Sequence, residues 1–173
     1  MKILFIGPQG SGKSTQGKML AQHLNIPYLS TGDIFRNLGD DGQGKRIKQI
    51  LSEGKLVDDA TTCELVKNKL SDYEFKENFI LDGYPRTLEQ LNSFDPNLEK
   101  VMYLKVPKEE LVQRLVKRGR ADDTPELIRT RLDYYFAQTE PLLEYFRQKG
   151  ILTEINGLGN IDEIQEKIKE SVA

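Results

Sequence analysis

Near the start of the chain, Gly7-Pro8-Gln9-Gly10-Ser11-Gly12-Lys13-Ser14 fits G-x-x-x-x-G-K-[ST] at every fixed position. Each residue type in that string has a chemical use. The glycines let backbone N–H groups turn inward around an anion, and a helix that begins there adds its partial positive charge. Lys13 can reach the outer phosphates of a nucleoside triphosphate, and the Ser14 hydroxyl can ligate Mg²⁺. A glycine-rich turn can match by chance, but here an apolar strand precedes the string and an amphipathic helix follows it, as the motif requires.

Arginines supply a second kind of chemistry. Arg114 and Arg118 are i, i+4 partners on one predicted helix, Arg120 follows, and Arg131 borders the apolar stripe of the next helix; Arg36 and Arg86 lie further upstream. Taken singly, such residues belong on a solvated surface, paired here with Glu110, Asp122 and Asp123. Beside a phosphate loop they suit phosphoryl transfer, which needs positioning and positive charge around the migrating group more than covalent chemistry. Arginine stays charged and grips phosphate with two parallel donors. A guanine-reading switch does not fit. Asn68-Lys69-Leu70-Ser71-Asp72 is one residue too long for Asn-Lys-x-Asp, and Asp41-Gly42-Gln43-Gly44 follows no buried strand.

These residues need elements to carry them. Five runs read as strands: Lys2–Ile6, Pro27–Leu29, Asn78–Asp82, Lys100–Val106 and Ile151–Ile155. Near-continuous apolar stretches in three of them suit strands covered on both faces. Helical spacing runs through Lys13–Leu24 (Gly17, Leu20, Ala21, Leu24) and through Lys108–Arg118 (Leu111, Val112, Leu115, Val116). It continues from Pro125 (Ile128, Leu132, Tyr135, Phe136, Thr139) and in Ile161–Val172 (Ile161, Ile164, Ile168). Pro141 forces a kink or a restart. Strand–helix alternation predicts a doubly wound α/β domain with a five-stranded parallel sheet and helices on both faces, the three-layer phosphate-loop NTPase fold. Residues 31–77 hold no strand signal, and Leu51, Leu65, Val66 and Leu70 sit at helical positions there. That stretch reads as a small helical insertion, because long structureless loops are rare.

The chain has 173 residues, 25 Lys plus Arg, 27 Asp plus Glu and a net charge of −2. One domain is expected, 1–173, and the balanced charge argues against a nucleic-acid-coating protein. Cys63 and His23 are the only residues of their kinds, which excludes an internal disulfide, a Cys- or His-built zinc site and a His triad. His23 reads as an ordinary helix residue. No stretch is long and apolar enough for a signal core or a membrane span, so a cytoplasmic protein with no membrane partner is expected.

Four motifs in order carry a resemblance. The loop is followed by Ser30-Thr31-Gly32-Asp33 with Arg36, then Asp82-Gly83-Tyr84-Pro85-Arg86-Thr87 with Gln90, then Gly119-Arg120-Ala121-Asp122-Asp123 with Arg131. Together they resemble the adenylate kinases, a nucleoside monophosphate kinase family, over essentially the whole chain. The resemblance implies ATP:AMP phosphotransfer giving two ADP, with Mg²⁺ arriving with ATP and no zinc. It implies ATP on Gly10, Ser11, Gly12, Lys13, Ser14 and Thr15, with Arg114 stacking on the adenine and the backbone at Gly159 touching that ring. It implies AMP on Thr31, Gly32, Arg36, Lys55, Leu56, Val57, Gly83, Tyr84, Arg86 and Gln90, within an AMP-binding subdomain at 31–77. Arg86 would grip the AMP phosphate and Gln90 would read the adenine edge. Lys13, Arg86, Arg118, Arg120 and Arg131 would surround the phosphates in transfer, with Arg118 also on ATP and Arg120 and Arg131 also on AMP. Asp82 would anchor Mg²⁺ beside Ser14, directly or through water, with help from Asp33.

Thr31 and Gln90 favour AMP over pyrimidine acceptors. A UMP/CMP kinase is the nearest alternative, and a low-turnover nucleotide-binding regulator or assembly factor is a second. Two departures from the family pattern stand out. Pro8 is one position early and Ser14 replaces the usual glycine. Only Gly119 separates Arg118 from Arg120, where relatives insert a lid, so the lid is expected to shrink to a short turn around 118–122. A monomer or weak oligomer is expected.

Overall fold

The computed structural model describes residues 1–53, 55–120 and 123–172. Its sheet has five strands, all parallel, in the order β2-β3-β1-β4-β5, where β1 is Lys2–Ile6, β2 Tyr28–Ser30, β3 Phe79–Asp82, β4 Lys100–Lys105 and β5 Leu152–Asn156. Strand ends differ from the sequence reading by one residue at most positions. The largest consequence is at β2, which begins after Pro27: proline has no N–H for the ladder.

Strand β1 lies at the centre, with Leu4 opposite Leu81 of β3 and Val101 of β4. Its apolar run serves two cores by simple alternation. Leu4 and Ile6 enter one core with Leu81, Val101 and Tyr103; Ile3 and Phe5 enter the other with Ile80, Met102 and Leu104. The second core is covered by α1 (Lys13–Leu24) and α9 (Ile161–Val172) through Leu20, Ala21, Ile164 and Ile168. Gly17 lets the ring of Tyr28 lie against α1, since a Cβ there would sit 3.0 Å from that ring. Ile161 is 53% exposed and leaves the predicted apolar stripe.

The segment 31–77 is helical: α2 (Thr31–Arg36), α3 (Gly42–Ser52), α4 (Asp59–Leu70) and a 3₁₀ turn at Tyr73–Phe75. Phe35, Ile47 and Val57 form a small core of its own, with Leu51 and Leu65 against it. The two switch-like strings resolve as local structure. Asp41 caps α3 by accepting from Gly44 N–H at 2.9 Å, and Asn68 to Leu70 end α4.

Helix α5 (Leu88–Ser93) leads into β4, and α6 (Lys108–Arg118) leaves it. Leu111 and Leu115 of α6 are buried against Ile128 and Leu132 of α7 (Pro125–Tyr134), while Val112 and Val116 face outward. Pro141 acts one turn early. Residues Tyr135–Thr139 form a π turn in which Glu140 N–H donates to the Tyr135 carbonyl at 2.9 Å, and α8 (Pro141–Gln148) restarts at the proline. The wide turn spares the carbonyl that a proline ring would strike in a continuous α-helix.

Candidate active site

The chain leaves β1 and β4 in opposite directions, which opens a crevice at the carboxyl ends of the strands, where ligands of open α/β sheets bind. The loop after β1 lines it. Gly12 caps α1 in the left-handed region (φ 93°). Gly10 (φ +85°) meets α6 so closely that a Cβ would stand 3.1 Å from the Leu111 carbonyl and the Leu115 side chain. A side chain at either position would open the ring of N–H groups.

Lys13 folds back over the loop, Nζ to the Pro8 carbonyl at 3.4 Å. Burial lowers its pKa, an effect opposed by Asp82 and reinforced by Arg86 and Arg118. Ser14 Oγ donates to Asp82 Oδ2 at 2.5 Å, and Tyr28 OH donates to the same oxygen at 2.7 Å. Burial, and then the Asp82 carboxylate, push the Tyr28 pKa well above its ordinary value. A hydroxyl and a carboxylate side by side are the hard oxygen donors Mg²⁺ takes, so Ser14 and Asp82 fit that ion. Asp33 is held by Arg36 at 2.5 Å and Lys18 at 3.9 Å, and its charge is felt at Tyr28, the partner of Asp82. Among the described residues no group of three or more His, Cys, Asp or Glu could hold a metal, and no helix is long and apolar enough to cross a membrane.

Beside the loop lies a cavity of about 360 Å³. Lys13, Lys55, Leu56, Gly83, Arg86 and Arg131 line it, which brings together six residues singled out in the sequence. Arg86 is tied by Nε to the Gly83 carbonyl at 2.9 Å, and burial lowers its pKa, opposed by Asp82. Thr31 is 1% exposed and donates to the Gly83 carbonyl at 3.2 Å. Gly83 (φ +89°) must be glycine, since a Cβ would fall 2.4 Å from Thr31 Oγ1.

Other predicted residues stand elsewhere. Arg36 is exposed and lies over Gly32; Val57 belongs to the small core of the insertion. Tyr84 is fully buried, with its hydroxyl bound to the Gln90 and Phe94 carbonyls, so its side chain supports the loop and does not line the cavity. Arg114 donates to Glu110 at 2.8 Å and to the carbonyl of Gly157, two residues before Gly159. Ser14 and Thr15 are exposed at the start of α1, and Ser11 is buried. Gln90 is 3% exposed, with both ends of its amide engaged.

The surface pairing considered for Arg118 is real in part. Asp123, its side chain 1% exposed, takes Arg118 in a fork at 2.8 and 2.6 Å, accepts from the Arg120 N–H at 3.3 Å and lies 3.9 Å from Arg131. The Arg118 hydrogen bonds hold its carboxyl below the usual carboxylate range, against the opposing effect of burial. Arg120 itself is exposed, and Ala121 and Asp122 of the expected lid turn lie outside the described residues.

Two groups escaped the sequence reading. Leu127, Thr130 and Tyr134 line the cavity with Arg131; helical spacing from Arg131 could have found Leu127 and Tyr134, and Thr130 lies at helical spacing from both of those. Asp59 of α4 binds both Gln90 and Thr87, across a sequence separation that carries no local signal.

A parallel sheet with a glycine-rich loop running from its central strand into a helix defines a phosphate-loop nucleotide-binding protein. Similarity to known proteins narrows the class. The family model for adenylate kinase matches residues 5–151. Adenylate kinase of Bifidobacterium longum is 42% identical over 97% of this chain and 97% of its own length. That of Leptospira biflexa is 40% identical over 99% of both chains, and that of a Nocardioides species 38% over 99% of this chain and 97% of its own. The chain belongs to the adenylate kinase family.

Proposed function

We propose that the protein transfers the terminal phosphoryl group of ATP to AMP, giving two ADP, and that it does so with charge and position alone. The attacking group is a phosphate oxygen of AMP, already an anion, so no general base is required. The bond that forms is from that oxygen to the γ-phosphorus, and the bond that breaks is from the γ-phosphorus to the β,γ-bridging oxygen, whose electrons stay with ADP. The single observation that carries this reading is the cavity that gathers Lys13, Arg86 and Arg131 beside the phosphate loop.

In this reading Gly10 to Thr15 hold the ATP phosphates, with Arg114 and the backbone near Gly159 at the adenine. Arg86 holds the AMP phosphate, and Thr31, Gly32, Arg36, Lys55, Leu56, Val57, Gly83, Tyr84 and Gln90 shape the acceptor side. Lys13, Arg118, Arg120 and Arg131 spread charge around the group in flight. Ser14 and Asp82 hold Mg²⁺, which neutralises charge on the transferring phosphates when bound. Residues 31–77 form the acceptor subdomain. The turn around 118–122 stands in for a lid. The cytoplasm, with its supply of ATP, AMP and Mg²⁺, is the compartment this reading implies, for a monomer or weak oligomer.

A coupled assay with AMP, CMP, UMP and GMP as acceptors tests the reading. AMP is expected to give the highest kcat/KM. A higher value with CMP or UMP would make this a pyrimidine kinase, and turnover with none of them would leave a nucleotide-binding regulator.

A further inference from the structure

Gln90 is held in one of its two amide orientations by groups that cannot exchange roles. Its Oε1 accepts from the Arg86 backbone N–H at 2.7 Å, and its Nε2 donates to Asp59 Oδ1 at 2.7 Å. A half-turn of the amide would set its oxygen against a carboxylate and its NH₂ against an N–H. Asp59 is fixed in turn. Its other oxygen accepts from the Thr87 hydroxyl at 3.0 Å, and that hydroxyl, as the N-cap of α5, accepts from Gln90 N–H at 3.0 Å. Since Asp59 opens α4, the helical insertion sets the polarity of an amide on α5.

We propose that Asp59 is a positioning residue that sets acceptor specificity: it locks the Gln90 amide so that the enzyme accepts a 6-amino purine and rejects a 6-keto purine. The inference rests on Gln90 being the residue that reads the base. Adenine offers an amino donor beside a ring-nitrogen acceptor, the pattern a glutamine amide matches with one acceptor and one donor. Hypoxanthine and guanine carry an oxygen where adenine has the amino group. A locked amide meets that oxygen with its own Oε1, leaving two acceptors face to face. A free amide turns its NH₂ to it. Discrimination therefore comes from the rigidity that Asp59 and Arg86 impose, since a glutamine alone can serve either base.

The test compares kcat/KM for AMP and inosine monophosphate, which differ only at this base edge. Asp59→Ala is expected to lower the AMP-to-IMP ratio at least about tenfold, raising KM for AMP while kcat stays within a few-fold. Asp59→Ser, which suits the first turn of a helix but cannot reach Gln90, is expected to do the same and covers poor folding of the alanine variant. Asp59→Asn keeps hydrogen bonds to Gln90 and Thr87 but can exchange donor and acceptor, so it is expected to hold the helices together with stability near wild type and still lower the ratio by about threefold or more. Gln90→Ala separates the two layers. A ratio unchanged in Gln90→Ala would show that Gln90 does not read the base. A ratio lowered in Gln90→Ala but unchanged in folded Asp59→Ala and Asp59→Ser would overturn the role given to Asp59 alone. A loss of kcat shared equally by both acceptors would mean that Asp59 only holds the helices together.

Discussion

Replacing Asp123 by Asn isolates the joint between α6 and α7. The side chain is 1% exposed and receives Arg118 through two bonds, at 2.8 and 2.6 Å. Removing one partner of a fully buried pair costs about 3–5 kcal/mol, because the other charge is left stranded. Arg118 is 32% exposed, so water recovers part of that cost, and Asn keeps one acceptor for the guanidinium. We expect a loss of about 2 kcal/mol, below the buried-pair range. For a slope of roughly 2 kcal/mol/M, that moves the urea midpoint by about 1 M.

The sign with pH follows from the lowered carboxyl pKa. The pair contributes fully above the unfolded value near 3.9 and is lost as pH falls through the folded value. The gap between wild type and Asp123→Asn should therefore be constant from about pH 5 to 8 and close in acid. Equal urea midpoints at pH 7, or a gap that widens on acidification, would refute the reasoning.

Lys13→Met should cut turnover by at least about 10²–10³-fold, measured in the coupled assay, because it removes a charge aimed at the transferring group. It should also raise Tm at pH 7. Wild-type Lys13 carries a lowered pKa, so the cost of burying its ammonium is present at neutral pH and fades as pH rises toward the unfolded value near 10.4; melts at pH 7 and 9.5 should show the advantage shrinking. Gly83→Ala puts a Cβ 2.4 Å from Thr31 Oγ1 at φ +89°. It should lose about 2 kcal/mol, seen as a Tm drop of roughly 4–8 °C, with a raised KM for AMP. EDTA should abolish activity and Mg²⁺ restore it, with no stoichiometric zinc by elemental analysis of the purified protein.

The sheet was legible because its strands are buried on both faces: apolar runs such as Ile3–Ile6 and Phe79–Leu81 announce themselves without context. The phosphate loop was legible because its whole chemistry lies within eight consecutive residues. The packing around Gln90 was not. Gln90 looks like a helix-surface amide until Asp59, 31 positions away in sequence, is seen to hold it. Asp123 looked like a surface partner for the opposite reason: a charge next to an arginine-rich helix end is usually solvated, and only the structure brings Arg118, Arg120 and Arg131 around it. The π turn before Pro141 shows a third limit. A proline predicts that a helix must yield, but whether it kinks, stops or widens depends on what the preceding turn packs against.

The Arg118–Asp123 fork also bears on how this chain could be rebuilt. It closes a loop of only a few residues, and Gly119, left-handed at φ +62°, already turns the backbone away from α6. Sequence spliced between Gly119 and Asp123 would enter and leave at two points the ion pair keeps together. Each doubling of loop length adds only about 0.6 kcal/mol of closure entropy. The position is thus a port for grafting, where a reporter, a second binding module or a covering segment can be inserted while Arg118 and Arg131, on either side, stay with Asp123.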